Sequence, residues 1–160
     1  MMSITTRTGK NLEAAFAGES MAFMKYTYFA KIARKQGDEM TARVFEETAA
    51  QEIHHALGHL DILYPEQELS SKVMLKMAIE GETYEYSEMY PGFHRQAVLD
   101  QQAGAVQEFA GQIEESAEHA EQFRQALAKA EKRFAALAKV ERRHAEHYQN
   151  VYDRLENNII

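Results

Sequence analysis

The chain has 160 residues, 45% hydrophobic and 27% charged, with a net charge of −7 and no cysteine. That length suits one domain with a proper core, and the missing cysteines exclude disulfides, thiolate metal sites, iron–sulfur clusters and thiol catalysis. Interspersed acids and bases argue against nucleic-acid binding, no segment nears the ~20 apolar residues of a membrane span, and the polar start, Met1–Lys10, lacks a secretory core, so a cytoplasmic protein is expected.

Ala, Glu, Gln and Lys dominate, and Pro65 and Pro91 are the only prolines. This composition predicts an all-α fold. A first helix is expected from about Asn11 to Gln36, with Leu12, Phe16, Phe23, Tyr26 and Ala30 on one stripe. Gly37 and Asp38 form a stop and the next N-cap. A second helix spans roughly Glu39 to Tyr64 and ends at Pro65. After the linker Pro65–Ser71, a third helix carries Leu75, Ala78, Met89 and Phe93 in phase, with a kink expected at Pro91. The stretch Asp100–Gly104 is the next turn candidate.

From Val106 to Leu155, apolar positions recur at alternating steps of three and four. This predicts either one very long helix or two helices joined near Lys129–Lys132. Two internal repeats stand out. Ala15–Ser20 resembles Ala78–Thr83, and Phe109 through His119 to Phe123 resembles Phe134 through His144 to Tyr148. A duplicated helical hairpin with one helix copied again would produce both.

Charged residues interrupt these apolar stripes at particular places. Glu19 lies between Phe16 and Phe23. Glu52 and His55 share the second helix's inner stripe, Glu82 and Glu85 the third's, and Glu141 and His144 sit in the last seam. Buried charges cost several kcal/mol each unless paired or bound to a cation. Residues three apart share a helix face. Glu, Glu-x-x-His, Glu-x-x-Glu and Glu-x-x-His on four segments therefore match a carboxylate-bridged dimetal bundle. Gly18 and Gly81 each precede an inward glutamate, which suggests crowding there. His54 points away from His55, and His59, one turn beyond it, is more simply structural. His94 and His147 read as solvated. Tyr26 and Tyr90 are candidates for phenols hydrogen-bonded to a ligand carboxylate.

The stretches Asn11–Ser20, Glu52-Ile53-His54-His55-Ala56, Gly81–Glu85 with Met89-Tyr90-Pro91, and Glu141–Ala145 together resemble the rubrerythrin family of the ferritin-like superfamily. The resemblance implies a ferritin-like four-helix bundle over 1–160, with a fifth helical segment at 103–130, in a form lacking the rubredoxin domain. It implies two non-haem iron ions, with manganese or zinc as substitutes, held by Glu19, Glu52, Glu82, Glu85, Glu141 and His144. His55 would join them according to redox state. It further implies reduction of hydrogen peroxide, with oxygen as the other oxidant to weigh, using an external electron donor of rubredoxin or other reductase type. A ferroxidase or other iron-handling role is the alternative; a non-catalytic helical interaction module with structural metal is a third.

Two departures from the family pattern bear on assembly. The seven-residue linker reaches only ~23–25 Å. Running the third helix parallel to the second would require about 33 Å from Glu52 and Glu82 to their helix ends. The shortfall favours a homodimer that exchanges helix pairs; a hairpin that reverses the third helix is the alternative. At the family's usual distance after Glu85, this chain has Ser116 and His119, with Glu115 displaced by one position. Either the last segment folds back so that Glu141 and His144 complete the site, which the serine favours, or the Glu115–His119 segment does.

Overall fold

The computed structural model describes residues 5–157, which are almost wholly helical, with no strand among them. Its elements are α1 (Arg7–Lys35), α2 (Glu39–Leu63), a 3₁₀ turn (Glu66–Glu68), α3 (Ser71–Tyr84), a π turn (Glu85–Met89), α4 (Tyr90–Leu99) and α5 (Ala103–Asn157). The all-α expectation holds. The chain divides after Leu69 into two compact units, each an antiparallel helical hairpin.

The first unit is α1 against α2. Gly37 adopts φ +81°, and Asp38 N–H returns to the Ala33 carbonyl at 3.0 Å while Gly37 N–H returns to Arg34 at 3.1 Å. These paired bonds satisfy the last carbonyls of α1. The Asp38 carboxylate accepts from Thr41 N–H at 3.0 Å, starting α2 one residue later. Arg34 binds Glu39 at 3.1 Å and Glu46 at 2.6 Å, pinning the end of α1 to α2. Both carboxylates are held below their usual range chiefly by hydrogen bonds from that guanidinium.

The second unit folds α3, the π turn and α4 back along α5. Tyr90 N–H bonds the Glu85 carbonyl in the π turn. The wider turn admits Pro91, whose ring would crowd the carbonyl four residues back in a regular helix. The helix therefore continues through the site where a kink was expected. It ends at Leu99 through the same bonding pattern as α1: Gln102 N–H to Ala97 at 3.0 Å and Gln101 N–H to Val98 at 3.2 Å. Here Gln101, not a glycine, occupies the left-handed position at φ +57°.

Two helices alone cover each other along one stripe, so only small side chains disappear completely. The buried apolar residues are accordingly Ala30, Ala33, Ala42, Ala49, Ala56, Ala97 and Ala120, with Leu63 the one large member. Larger side chains such as Met24, Phe29, Leu57 and Phe93 stay substantially exposed.

The expected break near Lys129–Lys132 does not occur. α5 is one helix from Ala103 to Asn157, so 103–130 is its first half and not a separate fifth helix. No proline lies within it and its last glycine is Gly111, so nothing in the backbone interrupts hydrogen bonding.

The left-handed conformation at Gln101 costs a side-chain-bearing residue about 1–2 kcal/mol, part of which glycine gives back in chain entropy. Gln101→Gly should therefore raise stability by about 0.5–1 kcal/mol, read as a higher urea midpoint at unchanged slope.

Candidate metal centre

In the first unit, α1 supplies Glu19 and α2 supplies Glu52 and His55. One ligand atom from each lies within 4.8 Å of the others. His55 Nδ1 is 3.1 Å from Glu52 Oε2, as expected for residues one turn apart. The Glu19 carboxyl is pushed above its ordinary value by its hydrogen bond with Glu52, then by burial and by the Glu52 charge; His55 and His59 oppose the rise. Two carboxylates in contact cannot both ionise freely. A cation between them would relieve that repulsion. A cation at the centre of this triad would meet two hard oxygens and a borderline nitrogen, a set suited to first-row divalent metals.

In the second unit, Glu82 projects from the last turn of α3 and Glu85 opens the π turn, both facing α5. Ser116, itself buried, donates from Oγ to Glu85 Oε2 at 3.1 Å. His119 Nδ1 lies 3.5 Å from Glu82 Oε2, and that oxygen is buried without a hydrogen bond. An orphaned buried carboxylate oxygen beside an imidazole is a position where a metal ion fits.

The structure thus brings together Glu19, Glu52 and His55 in one hairpin and Glu82 and Glu85 in the other. Within the second unit it does not bring Glu141 and His144 to Glu82 and Glu85. Glu141 and His144 approach each other at 3.7 Å with side chains 74% and 57% exposed. They lie 25 residues beyond Ser116 and His119 on the unbroken α5, about 37 Å further along. The fold-back of the last segment is corrected accordingly, and the residues opposite Glu82 and Glu85 are Ser116 and His119. Glu115 is exposed.

Other expectations fare variously. Among the described residues, no hydrogen bond runs from Tyr26 or Tyr90 to a ligand carboxylate. Tyr26 packs on Phe45 at 5.8 Å between ring centres. Tyr90 packs on Phe93 and Phe109 at 6.3 and 6.2 Å. Burial, followed by the charges of Glu85 and Glu82, raises its phenol pKa. Nothing lies within 4 Å of where a Cβ would stand at Gly18 or Gly81, so crowding within either hairpin does not explain these glycines. His59 is near enough for its charge to act on Glu19.

A further contact had no signal in the sequence pattern. Arg124 donates to Thr83 Oγ1 at 3.2 Å and to Tyr86 Oη at 3.4 Å, lowering the Tyr86 pKa. The three side chains flank Glu82 and Glu85 and tie the π turn to α5. Only the hairpin register reveals them, because Arg124 lies 41 residues from Thr83.

Residues 10–127 match the family model described as Rubrerythrin. Nigerythrin of Nitratidesulfovibrio vulgaris is 40% identical over 129 residues, covering 72% of this chain and 63% of that protein. Rubrerythrin of Porphyromonas gingivalis is 41% identical over 99 residues, covering 55% and 50%. The solved structure of nigerythrin in its fully reduced, all-ferrous state shares 37% identity, with 76% of this chain and 66% of that chain covered and a TM-score of 0.40. The chain therefore spans from about half to under two thirds of these two relatives' full length.

The raised Glu19 carboxyl fixes a sign for the metal-free protein. Its protonation favours the folded hairpin; that contribution is complete below the ordinary carboxylate range and is lost as pH rises through the raised value. Glu19→Gln should flatten this dependence and leave the metal-free protein at least as heat-stable at neutral pH, while weakening metal binding. Thermal unfolding across pH with chelator present checks the first part, and metal titration the second.

Proposed function

The chain belongs to the rubrerythrin family, whose members are diiron proteins, and from that premise we propose that it reduces hydrogen peroxide to water with electrons from an external donor. The observation that carries this reading is the pair of carboxylate–histidine half-sites. Glu19, Glu52 and His55 form one; Glu82 and Glu85, with His119 opposite, form the other. The proposed ligand set keeps these five acid and histidine residues of the original expectation and replaces Glu141 and His144 by His119.

In this reading each half-site would contribute ligands to a diiron centre. The linker runs from Tyr64 to Ser70 and includes a 3₁₀ turn, which shortens its reach below the ~25 Å of an extended chain. Exchange of helix pairs within a homodimer would bring the half-sites together without stretching it.

When bound, a diferrous pair supplies both electrons that cleavage of the peroxide O–O bond consumes, together with Lewis acidity. The chain's own residues do the rest. Metal charge would relieve the repulsion between the Glu19 and Glu52 carboxylates on loading. His55, half exposed and held by Glu52, can swing towards or away from the centre as the charge there changes. The Arg124–Tyr86–Thr83 contacts keep Glu82 and Glu85 aimed while the π turn leaves them room to shift. Reduction of one peroxide takes up two protons and releases two waters. Glu52 and His55, in mutual contact, are a short path for those protons. None of the 160 residues is a cysteine, so a rubredoxin-type donor would be a separate centre.

Glu52→Ala and His119→Ala should each lose bound iron, whereas Glu141→Ala and His144→Ala should retain two irons per site; metal analysis after anaerobic loading decides. Iron loss in the last two variants and not in His119→Ala would restore the fold-back assignment. In stopped-flow mixing, the diferrous protein should oxidise much faster with peroxide than with oxygen. The reverse order would make the protein a ferroxidase.

A further inference from the structure

The final stretch of α5 lies outside the family match, which ends at residue 127. α3 begins at Ser71, and its first turn meets α5 where Lys72 pairs with Glu131 at 2.8 Å. Beyond this point α5 runs on to Asn157 without a neighbouring helix within its own unit. Yet the stripe that faces α3 and α4 in the first half continues unbroken. Phe134, Leu137, Tyr148, Val151 and Leu155 follow it and are 42–70% exposed. Glu141 and His144 stand at its middle.

This stripe complements itself when reversed. Turned end to end about the point between Glu141 and His144, Phe134 meets Val151 and Leu137 meets Tyr148. Each layer then pairs a larger side chain with a smaller one, where a parallel alignment would stack Phe on Phe and Tyr on Tyr. Glu141 meets His144, an acid against a base, twice across the axis. Ala138 and Ala145 border the seam on one side and would allow close approach there. A groove of about 510 Å³ between the start of α3 and α5, lined by Ser71, Ala130 and Phe134 among others, lies where the reversed helix would bring its Leu155.

We propose that this arm docks on a second copy of the chain. Residues 134–155 of two α5 helices pair antiparallel, with Glu141 against the partner's His144 as the polar layers that set register. Apolar layers on either side supply the association, and the two adjacent Glu–His layers at the centre of the seam disfavour shifted or parallel alignments, which would bring carboxylate against carboxylate or leave a polar group facing an apolar side chain. The pairing needs no metal and is independent of the diiron centre.

The natural absence of cysteine makes a direct test clean. Ala138→Cys and Ala145→Cys are prepared separately in the full-length, iron-loaded protein, mixed, allowed to exchange subunits and mildly oxidised. The antiparallel register places Ala138 beside the partner's Ala145, so the mixed disulfide should exceed either self-disulfide at least about tenfold. Adding Leu137→Lys and Val151→Lys should abolish the mixed disulfide and remove one step of association in sedimentation, with iron content unchanged. Predominant self-disulfides would mean a parallel pair, and an absence of any cross-link would mean the arm stays single; either overturns the proposal. Iron stoichiometry, measured on the same samples, reports on the diiron reading alone.

Discussion

Glu19 and Glu52 face one another across a hairpin of two helices, and the contact between their carboxylates raises the Glu19 pKa, because the ionised groups repel. Two like charges set on an inward stripe are unfavourable for the hairpin by itself. A pair of helices has no further layer to desolvate larger apolar groups, which is why alanines fill the contact. Stability therefore does not explain the choice of glutamate at these positions, and a cation does. The rest of the first unit serves to hold that register. The glycine turn at Gly37 and the Arg34 contacts to Glu39 and Glu46 fix how far α2 slides along α1, and so whether Glu52 arrives opposite Glu19.

The second unit states the same requirement differently. Its carboxylates are partly satisfied: Glu85 by Ser116, and Glu82 by proximity to His119, with one oxygen left over. A serine in the place where the family pattern carries a carboxylate removes one negative charge from the proposed centre.

Much of this was legible in the sequence because the signals were chemical and local. Gly37-Asp38 announced a helix end and a cap, and the in-phase Glu19, Glu52, His55, Glu82 and Glu85 marked the acids and histidine that the two hairpins turn onto their facing stripes. Other features lacked such signals. Gln101 ends α4 in a conformation that ordinarily demands glycine, so no residue type betrayed the stop. The π turn at Glu85–Met89 is a one-residue change in hydrogen bonding that leaves hydrophobic periodicity nearly intact. The Arg124 contacts depend on the hairpin's register, a tertiary fact. The Glu141–His144 pair is an intact Glu-x-x-His motif, and no residue type marks that α5 runs unbroken through Lys129–Lys132 and carries the pair 25 residues beyond Ser116 and His119.

The same continuous helix gives the two copies of the duplicated segment different surroundings. Both copies occupy the same stripe of one long helix, but their surroundings differ. The first copy packs on α3 and α4, where Glu82 and Glu85 already supply acid; there a serine hydroxyl suffices to bind Glu85, and the histidine is retained against Glu82. The second copy has no carboxylates facing it within its unit, so its own glutamate and histidine keep each other company in an otherwise apolar row. Exposed aromatic and aliphatic side chains on both sides of that pair gain free energy only when another surface covers them. A surface of the same sequence, reversed, offers an acid to each histidine and a smaller residue to each larger one. In the proposed pairing, the carboxylate beside an imidazole that each hairpin carries recurs at the end of α5, supplied there by two chains.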